Sequence, residues 1–327
     1  MTAISTTTRS WQVNPAARLM ATGEDLLVRH GGLVTRCAAP GIRQFVTTLL
    51  GTADDGRVHL DADGLDPVRL ARFELLMTQL VAAGLFTELE PGEAAPDPVV
   101  LGLWQRGGGA VERADIAARL RSTPIRVVGT GALAGHLRRE LADAGLAVGP
   151  DDGDHAGVVA VVVGAHDQDP VLTDWNTVQL AGDTATPWLA VTPFDGEYAT
   201  VGPWVVPGES ACYACYLLRR ASTFTDDAAV PVLADAEPAG LAVDGSARHP
   251  GLRLVQAGLV VDRLTEYTGL GDRGGQSVPG GLTTIAVRPD AIVLERHRVL
   301  RVPRCPACSP AAGRGYPQVW YAQEAGA

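Results

Sequence analysis

The sequence predicts an α/β protein in two parts, a small winged-helix-like α+β module followed by a larger domain on a mainly parallel central sheet. Three observations carry this. Residues 90–98, "EPGEAAPDP", set three prolines among acidic and small residues and interrupt every apolar period, as a short interdomain linker does. Beyond it, "IRVVGTGALAGHLRRELADAGLAV" runs strand, glycine turn, helix and strand, and the apolar run "GVVAVVVGAHD" follows as a buried strand of the parallel type. Finally, two Cys-x-x-Cys pairs, Cys212/Cys215 and Cys305/Cys308, stand 89 residues apart in a chain with five cysteines. The expected division is 1–90 for the module, 91–123 for linker and lead-in, and 124–327 for the second domain.

Before the linker, "DLLVR-HGG-LVTRC" reads as a hairpin of two short strands around a glycine turn. Ile42, Phe45, Val46, Leu49 and Leu50 recur at helical spacing after Pro40-Gly41. A second helix is marked by Asp66 as cap, Pro67 in the first turn, and a stripe of Leu70, Phe73, Leu76, Met77, Leu80 and Val81 before Gly84. After the linker, Gly129, Gly131 and Ala134 fit G-x-G-x-x-A, in which glycines let a phosphate approach a helix N-terminus. The same turn serves equally as a strand–helix junction packed tightly with no nucleotide. Asp151, Asp152 and Asp154 stand where a ribose-binding acid could sit, and also read as a solvated loop. "TPWLAVTPF" is a further strand, "GLRLVQAGLVVDRLTEYTGL" a long helix, and "LTTIAVRPDAIVLERHRVL" a hairpin around Arg288-Pro289-Asp290. Residues 224–250 read as a long mobile loop.

Length and charge bound the function. A chain of 327 residues, 46% apolar, can bury a full core. Its longest apolar run, Gly157 to Ala165, is far short of the roughly 18 residues a membrane helix needs, and the first thirty residues hold no signal-like apolar stretch. The expected location is the cytoplasm, where thiols stay reduced and Cys-x-x-Cys pairs serve metals or redox chemistry. The net charge of −10 argues against nucleic acid and against an anionic membrane surface. Residues 1–90 carry eight arginines against ten acidic residues, a net charge of −2, so the module is not expected to read DNA as winged helices often do. A hairpin edge beside a helix can instead accept an extended peptide as an added strand.

Four cysteines in two such pairs suit a closed tetrahedral zinc site, with Cys212, Cys215, Cys305 and Cys308 as ligands and no open position for catalysis. Zinc is then structural and clips the final hairpin to the middle of its domain. Cys37, the fifth, reads as a small core residue at a strand end.

The glycine turn, the strand ending Ala165-His166-Asp167, "GPWVVPGESACYAC" and the terminal "CPAC" together resemble the ubiquitin-activating-enzyme-like (ThiF/MoeB-like) adenylyltransferase fold over about residues 124–310. The resemblance implies a Rossmann-like domain with structural zinc, and Asp167 matches the family's metal-binding aspartate by position. The chain departs from the active members. It has no lysine, and only "GPDDGDHA" separates Val148 from the next strand, without room for the segment that carries the ATP-binding groups. With the amino-terminal module and "HRVLRVPRCPACS", the chain is similar to the "ocin-ThiF-like" leader-peptide-binding partners of YcaO cyclodehydratases, whose recognition element is PqqD-like.

That resemblance implies a protein that is not itself an enzyme. It would bind the leader of a ribosomally made precursor as an extra strand and present the core to a separate YcaO cyclodehydratase for azole formation in a thiopeptide or linear azole pathway. The expected leader contacts are Val34, Arg36, Arg69, Arg72 and Phe73, with no catalytic residue, and the resemblance favours a homodimer. The alternative is an ATP-dependent adenylyltransferase acting on a peptide or carrier-protein carboxylate.

Overall fold

The computed structural model describes residues 8–54, 56–61, 66–89, 97–149, 159–182, 185–223 and 249–309. The chain divides into two compact units, 1–97 and 98–327. Most of the proline-rich stretch, Asp151, Asp152, Asp154 and nearly all of the 224–250 loop lie outside the described residues.

The first unit holds two three-stranded antiparallel sheets and two helices. One sheet runs in the order β2 (Ala17–Thr22), β3 (Asp25–His30), β4 (Leu33–Cys37). The other runs β5 (Arg57–Asp61), β1 (Thr8–Val13), β6 (Phe86–Leu89). The expected hairpin is β3–β4, paired from Leu26↔Cys37 to His30↔Leu33, and its two-residue turn needs the positive φ of Gly31, 59°. Helix α1 (Ile42–Gly51) buries Ile42, Val46 and Leu49. Helix α2 (Pro67–Ala82) starts as its sequence dictates, with the Asp66 carboxylate accepting the Arg69 backbone N–H at 3.3 Å and Pro67 in the first turn. Leu76, Met77 and Leu80 go into the core with Trp11, Val28, Ile42 and Phe86, each worth about 1.5–3 kcal/mol of burial.

In the second unit a seven-stranded sheet runs β13 (Ile292–Arg298), β12 (Gly281–Val287), β11 (Tyr198–Val205), β10 (Trp188–Thr192), β9 (Val159–Val163), β7 (Pro124–Val128), β8 (Ala147–Val148). Strands β8, β7, β9 and β10 are parallel, whereas β11, β12 and β13 are antiparallel, so the sheet is mixed rather than mainly parallel. Its central strands are covered on both faces. Along β9, Val159, Val161 and Val163 join one core cluster and Ala160 and Val162 the other, which is why the run is continuously apolar. One face is covered by α5 (Gly131–Asp143) and α8 (Pro250–Leu270), the other by α6 (Pro170–Ala181) and α7 (Tyr213–Ala221).

Residues 98–122, expected as lead-in, form α3 (Pro98–Arg106) and α4 (Arg113–Ser122). Val100, Leu103, Ile116 and Leu120 share a core with α8, and Arg106 donates to Asp262 and to the buried Glu266 at 3.0 Å each. Gly129 has φ 113°, and a Cβ there would lie 2.2 Å from the Val163 carbonyl oxygen. The glycine is therefore required by the close packing of the β7–α5 turn against β9.

Candidate metal centre and peptide groove

Helix α7 places the first cysteine pair, with Cys212 at its N-cap and Cys215 in its first turn. The second pair lies beyond β13. The four sulfurs lie within 4.8 Å of one another, at 3.8 Å for Cys212–Cys215, 3.6 Å for Cys212–Cys305 and 3.5 Å for Cys215–Cys308. Thiolates around one zinc at about 2.3 Å stand about 3.8 Å apart on a tetrahedron's edge. The cluster could thus hold a metal ion, and its all-sulfur donor set is compatible with zinc.

Hydrogen bonds tether the two segments that carry the cysteine pairs. Arg219 donates to the carbonyls of Leu300 and Arg301 at 2.6 and 3.1 Å, and Arg301 donates to those of Ser210, at 2.8 Å, and Gly208. The Val302 backbone N–H donates to the Cys215 sulfur at 3.4 Å. Burial pushes Cys308 up to about 11, with Cys212 opposing and Cys215 adding, and burial raises Cys212, whereas backbone N–H groups outweigh burial at Cys305 and lower it. Four such groups stay ionised together only around a cation. Cys37 stands apart in the first unit's core, 3% exposed, its thiol raised by burial and so a poor nucleophile.

A second cluster lies where β9 and β10 end, around the aspartate that the family resemblance singles out. Arg220 of α7 pairs through Nε with Asp167 and through Nη2 with Asp195, at 2.6 Å each. Its Nη1 donates to the Tyr198 hydroxyl at 2.6 Å, and its guanidinium lies over the Tyr198 ring at 4.8 Å. The Tyr213 hydroxyl donates to the Asp167 carbonyl at 2.8 Å. Burial opposes the arginine's charge, but Tyr216, Asp167 and Asp195 outweigh it and raise its pKa. Asp167 is therefore an ion-pair partner. No sequence pattern joins residues so far apart, and the only local hint was the Arg219-Arg220 pair one turn beyond Tyr216.

In the first unit a groove of about 530 Å³ runs between β4 and the C-terminal half of α2, lined by Thr35, Arg36 and Cys37 on one side and Gln79, Ala82 and Ala83 on the other. β4 is the end strand of its sheet. Of the five expected contacts, Arg36 lines the groove, 62% exposed and 3.3 Å from Asp25, a surface pair worth little. Val34 is exposed on the same strand, two residues away. Arg69 and Arg72 belong to the N-terminal half of α2, with Arg72 donating to the Pro40 carbonyl at 2.9 Å. Phe73 is half-buried and packs on Trp11 and Phe45, with ring centroids 5.4 Å apart in each case. The groove-lining Gln79, Ala82 and Ala83 were not foreseen, since alanines at a helix end carry no chemical signature.

No protein-family model and no curated protein matches the sequence. Among solved structures, the chain is similar to a heterocyclase in complex with substrate and cofactor, with TM-score 0.60, 18% identity, and coverage of 92% of this chain and 40% of that chain. It is similar to the heterocyclase TruD, at 0.59 and 19%, covering 92% and 43%. It is also similar to E. coli MccB, at 0.52 and 13%, covering 92% and 97%. The microcin C7 biosynthetic enzyme MccB in complex with N-formylated MccA gives 0.54 and 13%, covering 92% and 100%. The chain thus spans about two fifths of the length of the heterocyclases and nearly all of MccB. At these identities the likeness shows a shared α/β fold. It overturns the expectation that the chain is not an enzyme: the proteins that share its fold are a heterocyclase and a biosynthetic enzyme.

Proposed function

We propose that this chain is the peptide-engaging part of an ATP-dependent heterocyclase that matures a ribosomally made precursor. The observation that carries the reading is the groove between β4 and α2 beside the free edge of β4. An extended leader added along β4 gains backbone hydrogen bonds while its side chains reach the groove, the usual economy of strand addition. Val34 and Arg36 lie on that strand, and the small Ala82 and Ala83 leave room for an apolar leader side chain. Arg69 and Arg72 would meet acidic leader residues that extend past the groove. The first unit would serve as the PqqD-like, winged-helix-like recognition element.

The cyclising machinery would be of YcaO type, on the same or another polypeptide, and would use ATP to close Cys, Ser or Thr side chains onto the backbone. Holding the leader here keeps the core peptide near that centre at millimolar effective concentration. Zinc would be structural, held by the four cysteines. The test is precursor, ATP and a YcaO-type protein with and without this chain. The expected result is loss of one water per ring, dependent on both the chain and the leader. Rings formed equally fast without the chain would overturn the reading.

A second reading, an ATP-dependent adenylyltransferase, is favoured by the match along nearly the full length of MccB. Against it, Asp167 and Asp195 at the strand ends are taken by Arg220. Peptide-dependent pyrophosphate exchange by the chain alone would establish it.

A further inference from the structure

We propose that β13 is a second peptide-docking edge, which adds an acidic, partly apolar segment as an antiparallel strand. The inference rests on the second unit alone and is independent of the leader reading. Among the described residues β13 ends its sheet, and it pairs with β12 in seven consecutive steps, from Gly281↔Arg298 to Val287↔Ile292, without a bulge. It has no proline. A regular seven-residue edge lacking bulge and proline is a ready template for a further strand, unless its side chains forbid one.

Those side chains select instead. Ile292 and Leu294, 52% and 51% exposed, share a face with Val287 and Ile285 across the ladder, so that face continues the apolar side of the sheet into solvent. Arg296 and Arg298 follow on the same face, and among the described residues neither meets a carboxylate. The strand's own acid is already engaged on the other face: Glu295 lies 3.8 Å from Arg288 and 3.7 Å from His297, which is bonded to Thr284 at 3.0 Å. The surface is therefore apolar, apolar, cationic, cationic at every second residue, in a chain whose net charge is −10. Complementarity calls for a strand with acids opposite Arg298 and Arg296 and apolar residues opposite Leu294 and Ile292. Antiparallel addition continues the pattern of β11, β12 and β13.

The probe is a labelled peptide, TDTETVTVT, whose alternate residues meet that order, with TVTVTETDT as a control of identical composition. Titrated with the full chain, the first should bind at least about tenfold more tightly than the second and weaken with salt, as steering by exposed charges requires. The Arg296→Glu/Arg298→Glu double variant, with unchanged circular dichroism, should lose about tenfold for TDTETVTVT and gain as much for TRTRTVTVT. The variant should bind the leader peptide as the parent does, which separates failure here from failure of the leader reading. Equal binding of the two isomers, or indifference to the double variant, would overturn the proposal. So would a self-associated chain in sedimentation equilibrium that becomes monomeric in the variant, since a second copy would then hold the edge.

Discussion

Cys305 is the side chain on which the second unit's last segment depends, because it bonds to the first pair and lies wholly buried. Cys305→Ser is expected to abolish binding of one zinc per chain and to cost on the order of 4 kcal/mol, as losses of metal sites do. For a unit of this size that lowers Tm by roughly 10 °C in calorimetry, and a chelator should reproduce the drop in the parent but not in the variant. Thiols must lose their protons to bind zinc, and burial raises Cys308 and Cys212. Zinc affinity, read by chelator competition, should therefore weaken as pH falls from about 8 to about 6. Gly129→Ala places a Cβ against backbone at 2.2 Å, and an expected loss on the order of 3 kcal/mol would appear in urea unfolding. The cysteine ligands were legible because thiolate chemistry and two-residue spacing are local properties. Asp167–Arg220 was not, because nothing in either residue's neighbourhood encodes a partner on a distant helix.

Elements with strong local grammar were equally plain in the sequence. Asp66-Pro67 starts α2, a two-glycine turn closes β3–β4, and the β9 run can only be a strand buried on both faces. β11 was hidden because Gly202-Pro203 interrupts its middle, and proline in a central strand argues against one. α3 and α4 were hidden because arginines and glycines mask the few apolar residues that reach the α8 core. The groove is also a property of two elements together, which only packing reveals. Ala82 is exposed at its rim, so Ala82→Trp should fill it with little change in Tm while lowering leader affinity by more than about tenfold, measured by fluorescence anisotropy.

At the scale of the whole molecule, two compact units divide the labour. One offers a groove beside an end strand, and the other carries the seven-stranded sheet with its sulfur cluster. No helix among the described residues is long and apolar enough to cross a membrane. The chain's acidity argues against nucleic acid from the sequence alone, whereas the likeness to a heterocyclase and to MccB emerged only from the fold. The most direct measurement is a titration of the labelled leader of a ribosomally made precursor peptide with the full-length chain. Saturable binding that is lost on scrambling the leader and by Ala82→Trp is the predicted result. Absence of binding by the folded chain, or binding that Ala82→Trp leaves unchanged, would contradict a leader site between β4 and α2.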